Sequence, residues 1–327
     1  MPPSAPQLDE HGFPIPPTFD DPLSQRRPSQ WLGHTWQVGL VLIFIVLLAG
    51  WVFKSGLGEG LNDWIANQLL ARAQEKEDFG DFPGALADLE RASRWAPNEL
   101  KIVERRAHAK LKTHDVDGSL ADFDQVLRSD RKNASAYMGR SVAYQRLHRH
   151  REAVDDLTQA ISMLPGDPTA LNNRAYARAV GGIELDAALA DVQQAIDIID
   201  RELGPEEAVQ LDLRSHLQNA WINGRKAAYL DTRGYVYFLQ EKYDLALKDF
   251  NKAIELSTTW QNVFMGQLRA RQAAPQQQAV QRQLDQELSV MYHHRGQVHE
   301  KLGRHAEAQS DLDQGEKLGY NPAEGVF

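Results

Sequence analysis

The chain has 327 residues, 42% of them hydrophobic and 25% charged, with 36 basic against 45 acidic side chains and a net charge of −9. That length exceeds what a single core fills efficiently, about 250–300 residues, and the acidic balance argues against a nucleic-acid-binding surface. The absence of cysteine excludes disulfides, thiolate metal sites and cysteine nucleophiles.

Residues 1–30 come first. Eight of the fifteen prolines lie within residues 1–28, among few aliphatic side chains. Such a segment buries too little apolar surface to offset chain entropy, so a disordered tail is expected; a proline-rich ligand for a partner domain is the alternative. Residues 34–54 then read as a transmembrane helix. The run QVGLVLIFIVLLAGWVF (37–53) carries no charge over 17 residues, and about 20 apolar residues cross a bilayer core of roughly 30 Å. Trp31, Trp36 and Trp51 stand at its edges, where amphipathic rings favour the headgroup region. A cleaved signal peptide is disfavoured, because the run is long, lies behind 36 residues and has no A-x-A site after it. Arg26 and Arg27 before the run, against Lys54 behind it, point to a cytoplasmic N-terminus and an extracytoplasmic remainder. Residues 55–60, SGLGEG, read as a linker.

From residue 61 onward the chain repeats itself. GDFPGALADLERASRWAP (80–97), HDVDGSLADFDQVLRSDR (114–131) and HRHREAVDDLTQAISMLP (148–165) share a small–large–small pattern at spacings of four and three, as do EKYDLALKDFNKAIELST (241–258) and GRHAEAQSDLDQGEKLGY (303–320). The triplets Ala85/Leu89/Ala92, Ser119/Phe123/Val126, Ala153/Leu157/Ala160, Ala246/Phe250/Ala253 and Ala308/Leu312/Gly315 each fall on one helical stripe. A sixth, Ala188/Val192/Ala195, fits if the turn at VGGIEL holds one extra residue. Small residues let a neighbouring helix approach closely. Upstream lies a second helix, with Ala73, Ala107, Ser141, Ala175, Gly234 or Gly296 at its small position. The units are placed near 66–99, 100–133, 134–167, 168–202, 227–260 and 289–322, the first three intervals between starts being 34 residues each.

Helix–turn–helix units of this period and spacing resemble the tetratricopeptide repeat family. The resemblance covers residues 61–322. It implies an all-α fold, a right-handed superhelical solenoid of six such repeats, which the uncharged run places behind one N-terminal transmembrane helix.

Two charges recur in every unit: Arg72, Arg106, Arg140, Arg174, Arg233 and Arg295 on the first helices, and Asp88, Asp122, Asp156, Asp191, Asp249 and Asp311 on the second. A guanidinium fork suits a carboxylate in a partly dry seam, so a structural ion-pair ladder is expected, within a unit or across to the next. A ladder of arginines for a polyanion is the weaker reading, because the aspartates would neutralise it.

Two insertions break the period, near 203–226 and 261–288. In the first, Pro205 marks a helix start, and Val209, Leu213, Leu217 and Trp221 form an apolar stripe. The second is rich in glutamine and is expected to lengthen the repeat helices into a projecting hairpin, interrupted near Pro275. Gln309, Ser310, Asp313 and Gln314 on the last helix suit a polar cap of the stack.

The resemblance also implies a concave partner-binding groove lined by the first helices. Its candidate residues are Glu104, His108, Met138, Val142, Gln145, Asn172, Tyr176, Asp231, Tyr235, Phe238, His293 and Gln297. The carboxylate clamp of some family members does not assemble, since its positions hold Leu70 and Gln74, Arg105, then Ser135 and Gly139. HEKLGR (299–304) lacks the second histidine of a zinc-protease helix, and no G-x-S-x-G or phosphate loop occurs. No catalytic residue, metal or cofactor is therefore expected, and the chain is read as no enzyme. The expected function is a membrane-anchored scaffold or adaptor, with protein partners, contact with the lipid bilayer through one transmembrane helix and no nucleic acid. The alternatives are a self-associating membrane organiser and an accessory subunit of a membrane enzyme complex.

Overall fold

The computed structural model describes residues 57–203, 213–270 and 274–321, which hold twelve helices and no strand. The chain divides into two units, Met1–Leu61 and Asn62–Phe327. The expected tail (1–30) and transmembrane helix (34–54) lie outside the described residues. Among the described ones, no helix is long and apolar enough to cross a membrane.

The helices run in antiparallel pairs. They are α1 (Leu57–Asp78) with α2 (Phe82–Trp95), α3 (Leu100–Lys112) with α4 (Val116–Ser129), and α5 (Ala134–Arg146) with α6 (His150–Met163). After them come α7 (Pro168–Val180) with α8 (Leu185–Leu203), α9 (Leu213–Leu239) with α10 (Tyr243–Ala270), and α11 (Ala274–Lys301) with α12 (His305–Lys317). Local chemistry starts several of them: Asp81, Asp115, Asn133 and Asp167 each accept a backbone N–H of the following first turn, an N-cap worth about 1 kcal/mol. The turn inside each pair bends through a left-handed residue, at Gly80, His114, His148, Gly182, Glu241 and Gly303. The fourth turn adds a second, Glu184, and Arg174 stands 17 residues before Asp191 where the other described pairs are 16 apart. Helix α1 begins at Leu57, so the stretch expected to be a linker at 55–60 is helical over its last four residues.

Each pair closes over its small–large–small stripe. Leu89, Phe123, Leu157, Val192 and Phe250 are all fully buried, as are Ala73, Ala107, Ser141 and Ala175 on the facing helices. Gly234 has no room for a larger side chain, since a Cβ there would stand 2.8 Å from the Phe250 ring. Leu312 in the last pair is only half-buried and Gln309, Ser310 and Asp313 are exposed, as befits the end of the stack.

The recurring charges meet within their own units. Arg106, Arg140, Arg174, Arg233 and Arg295 each donate Nε and one terminal nitrogen to the two oxygens of Asp122, Asp156, Asp191, Asp249 and Asp311, at 2.6–2.8 Å. The other terminal nitrogen reaches back to the preceding unit. Its acceptors are Ser93, Asp124, Thr158, Gln193 and Asn251. Every such arginine therefore staples its own hairpin and the joint to the unit before it, using the donors a guanidinium holds in fixed geometry. Arg72 departs from this. Its side chain is 58% exposed and 3.6 Å from Asp88, whose carboxylate is taken by Lys76 at 2.6 Å.

The insertions lengthen repeat helices, and two expectations change. Trp221 is half-exposed, not part of a buried stripe; the buried residues of the α9 extension are Ala220 and Ile222. Leu217 is half-buried, while Pro205, Val209 and the Leu213 side chain lie outside the description. An α-helix turns about 100° per residue, so steps of four drift about 40° each. The repeat half of α9 sets the phase through Tyr229, Leu230 and Val236, and Trp221 falls off that face. The second insertion does form a hairpin of two 28-residue helices, α10 and α11. It does not project. Leu284, Leu288, Val290 and Met291 are buried, and Gln261 donates its amide to the Leu284 carbonyl at 2.7 Å. The start of α11 comes back to the first units, where Ala279 packs against Gly80 closely enough to leave no room for a side chain there. Burying these apolar side chains stabilises the folded-back arrangement over one held out in water.

Candidate functional site

The first helices of successive units touch one another, α3 with α5, α7 with α9 and α9 with α11, and so line the inner face of the stack. The first half of α11 lies over that face and roofs it. A cavity of about 350 Å³ remains between them. Lys112 borders it from α3, Gln145 from α5, Asn172 and Tyr176 from α7, Asp231 from α9, and Glu287 from α11. Val142, Ala228, Val290 and Met291 supply apolar wall. The volume suits a small ligand or a few side chains of an extended segment rather than a whole helix.

Two acceptors in this wall lack partners. Gln145 is 3% exposed and Asn172 9%, yet Oε1 of the first and Oδ1 of the second meet no donor. A buried polar group left unpaired costs about 1–3 kcal/mol, so a donor brought to either oxygen would recover that cost. Asp231 is engaged on one side, its Oδ1 3.1 Å from Nδ1 of the buried His294. Burial pushes the Glu287 carboxyl above its usual range, against the opposing pull of the Gln283 amide and the Lys112 charge. Burial also lowers Lys112, helped by the nearby Arg146 and opposed by Glu287.

Of the residues assigned to the groove from sequence, Val142, Gln145, Asn172, Tyr176 and Asp231 meet at this cavity. The others are used elsewhere. Glu104 accepts from the Asn133 side chain at 3.0 Å, His108 sets its ring edge-on against Phe123, and Met138 packs on the cluster around Leu157. Tyr235 is sandwiched into an aromatic stack, 4.7 Å from His294 and 6.2 Å from Phe238. His293 lies 3.9 Å beneath the Tyr320 ring, where burial first and the neighbouring His294 second lower its pKa to about 4. Gln297 is half-buried. Sequence reasoning missed Lys112 and every contribution of α11. The apolar Leu284, Leu288 and Met291, at steps of four and three, were the available sign that this glutamine-rich helix packs against something. Among the described residues no cluster of histidine, aspartate and glutamate is arranged to hold a metal ion.

Comparison with known proteins agrees with the repeat architecture. The family description Tetratricopeptide repeat matches residues 104–146, 142–205, 227–260 and 290–318. Sperm-associated antigen 1 of Mus musculus is 27% identical over 116 residues, 36% of this chain and 13% of that protein. Its Homo sapiens counterpart is 25% identical over 107 residues, 33% of this chain and 11% of that one. The chain thus matches only a small part of these relatives' length. Among solved structures, the APC/C hetero-tetramer Cut9-Hcn1 covers 85% of this chain and 44% of its own at a TM-score of 0.54 and 14% identity, a likeness of fold.

Proposed function

The chain is a tetratricopeptide-repeat protein, and from that premise we propose that it works as a non-enzymatic interaction scaffold, gripping an extended segment of a protein partner on the roofed inner face. The cavity carries this reading, because it joins apolar wall to buried amide oxygens that lack donors. A peptide backbone or polar side chain would supply those donors, and Tyr176 offers an aromatic anchor. The uncharged run 37–53, edged by tryptophans, supports a tether that holds this scaffold at a bilayer, with residues 1–30 on the cytoplasmic side.

Photo-crosslinking tests the reading. A photoreactive residue replaces Tyr176 at the cavity or the exposed Arg151 on α6, each in the full chain in its native membranes. A partner trapped from position 176 and absent from position 151 is the expected result. Equal trapping from both positions, or none from 176, refutes groove binding. A cross-link from 151 to a second copy supports self-assembly instead.

A further inference from the structure

Resting on that groove-binding reading, we propose that the cavity recognises a cationic side chain, a lysine or arginine, in the partner segment. The wall carries amide, hydroxyl and ammonium donors, but the buried groups left unpaired in it are acceptors. Oε1 of Gln145 and Oδ1 of Asn172 are buried without partners, and the carboxylates of Asp231 and Glu287 border the same space. An ammonium or guanidinium carries only donors, three or five of them, and so meets what this wall offers.

Three further features agree. Burial raises Glu287, whose neighbours are the neutral Gln283 amide and Lys112; an added cation beside it would restore the charged form. His294 holds one edge of Asp231 and leaves the carboxylate further lone pairs. Val142, Val290 and Met291 provide apolar wall for the methylene stem of a long basic side chain, as such stems lie along apolar surface while the head stays polar. Lys112 is the cavity's one cation among the residues that line it, and it also lines the adjoining cavity with Arg146 and Arg282. That neighbouring space mixes these cations with Glu77 and Asp78, whereas the space beside Asp231 holds two carboxylates against one cation. An anion placed beside Asp231 would face two carboxylates and two acceptor oxygens, so the charge pattern selects against it.

The test is selection of short random displayed peptides on the full chain in detergent micelles, run in parallel on wild type and on Glu287→Gln. The variant keeps the shape of Glu287, and an unchanged thermal melt checks that it is folded. Wild type should enrich peptides with Lys or Arg at one fixed position. Replacing that residue by its uncharged isostere, citrulline or norleucine, should weaken binding to wild type by about tenfold or more. The same replacement should change binding to Glu287→Gln by much less. Peptides with no basic preference, with an acidic preference, or with equal losses on both proteins would overturn this inference and leave groove binding standing. If wild type enriches no peptide, groove binding itself falls and the cation site falls with it.

Discussion

Arg233 and Asp249 offer the sharpest test of the stapled hairpins. Arg233 donates to Asp249 at 2.6 and 2.7 Å, and to Gln193 of the preceding unit at 2.7 Å. Their side chains are 18% and 6% exposed. Breaking a buried pair by removing one partner costs about 3–5 kcal/mol, mostly for the charge left behind, whereas replacing both by apolar residues is often close to neutral. The two single losses are unequal in this geometry. Arg233→Met strands a carboxylate that is almost wholly buried, so about 3–5 kcal/mol is expected. Asp249→Leu leaves a guanidinium that is partly hydrated and still bonded to Gln193, so about 2–3 kcal/mol is expected. The double variant should fall within about 1 kcal/mol of wild type. Because stacked repeats can open unit by unit, the measurement is native-state hydrogen exchange of α9 and α10 in the full chain. A double variant as unstable as the worse single, or an Asp249→Leu loss exceeding that of Arg233→Met, refutes the reasoning.

Three other outcomes follow from the packing. Phe250 is fully buried against Gly234 and 5.7 Å from His294, so Phe250→Ala should lose about 3–5 kcal/mol in denaturant titration. Glu241 turns its hairpin at φ 60; a left-handed residue with a Cβ costs about 1–2 kcal/mol and a glycine loses about 0.5–1 kcal/mol through entropy. Glu241→Gly should therefore stabilise by about 0.5–1 kcal/mol and raise the melting temperature. His293 has its pKa lowered to about 4 from 6.5, so the unfolded chain binds a proton at a pH where the folded one does not. Its contribution to stability is present above about 6.5 and is lost as pH falls toward about 4. Melts at pH 7 and pH 5 should accordingly differ less for His293→Gln than for wild type.

The repeat, the helix pairs, the small–large–small stripes and the partnership of five arginines with five aspartates can all be read from the sequence; the sixth expected pair, Arg72 with Asp88, gives way to Lys76. Each depends on residues within one unit, and each unit states the same local constraint again. Spacings of three and four put Leu89 or Phe250 on a buried stripe wherever the unit stands, and two complementary charges on facing helices meet for the same reason. What lies between distant units is another matter. The pitch of the stack sums small rotations over successive joints, and α11 lands on α3, α5 and α7 only because that sum brings them together. For the same reason the sequence placed Tyr235 and Phe238 in the groove, while the structure packs Tyr235 between His294 and Phe238 and gives their place at the cavity to Lys112 and Glu287. Local chemistry determined which residues form helices and which side of each helix is dry; the tertiary structure decided which dry sides meet, because that distance is set by the summed joints between repeats and by no single repeat.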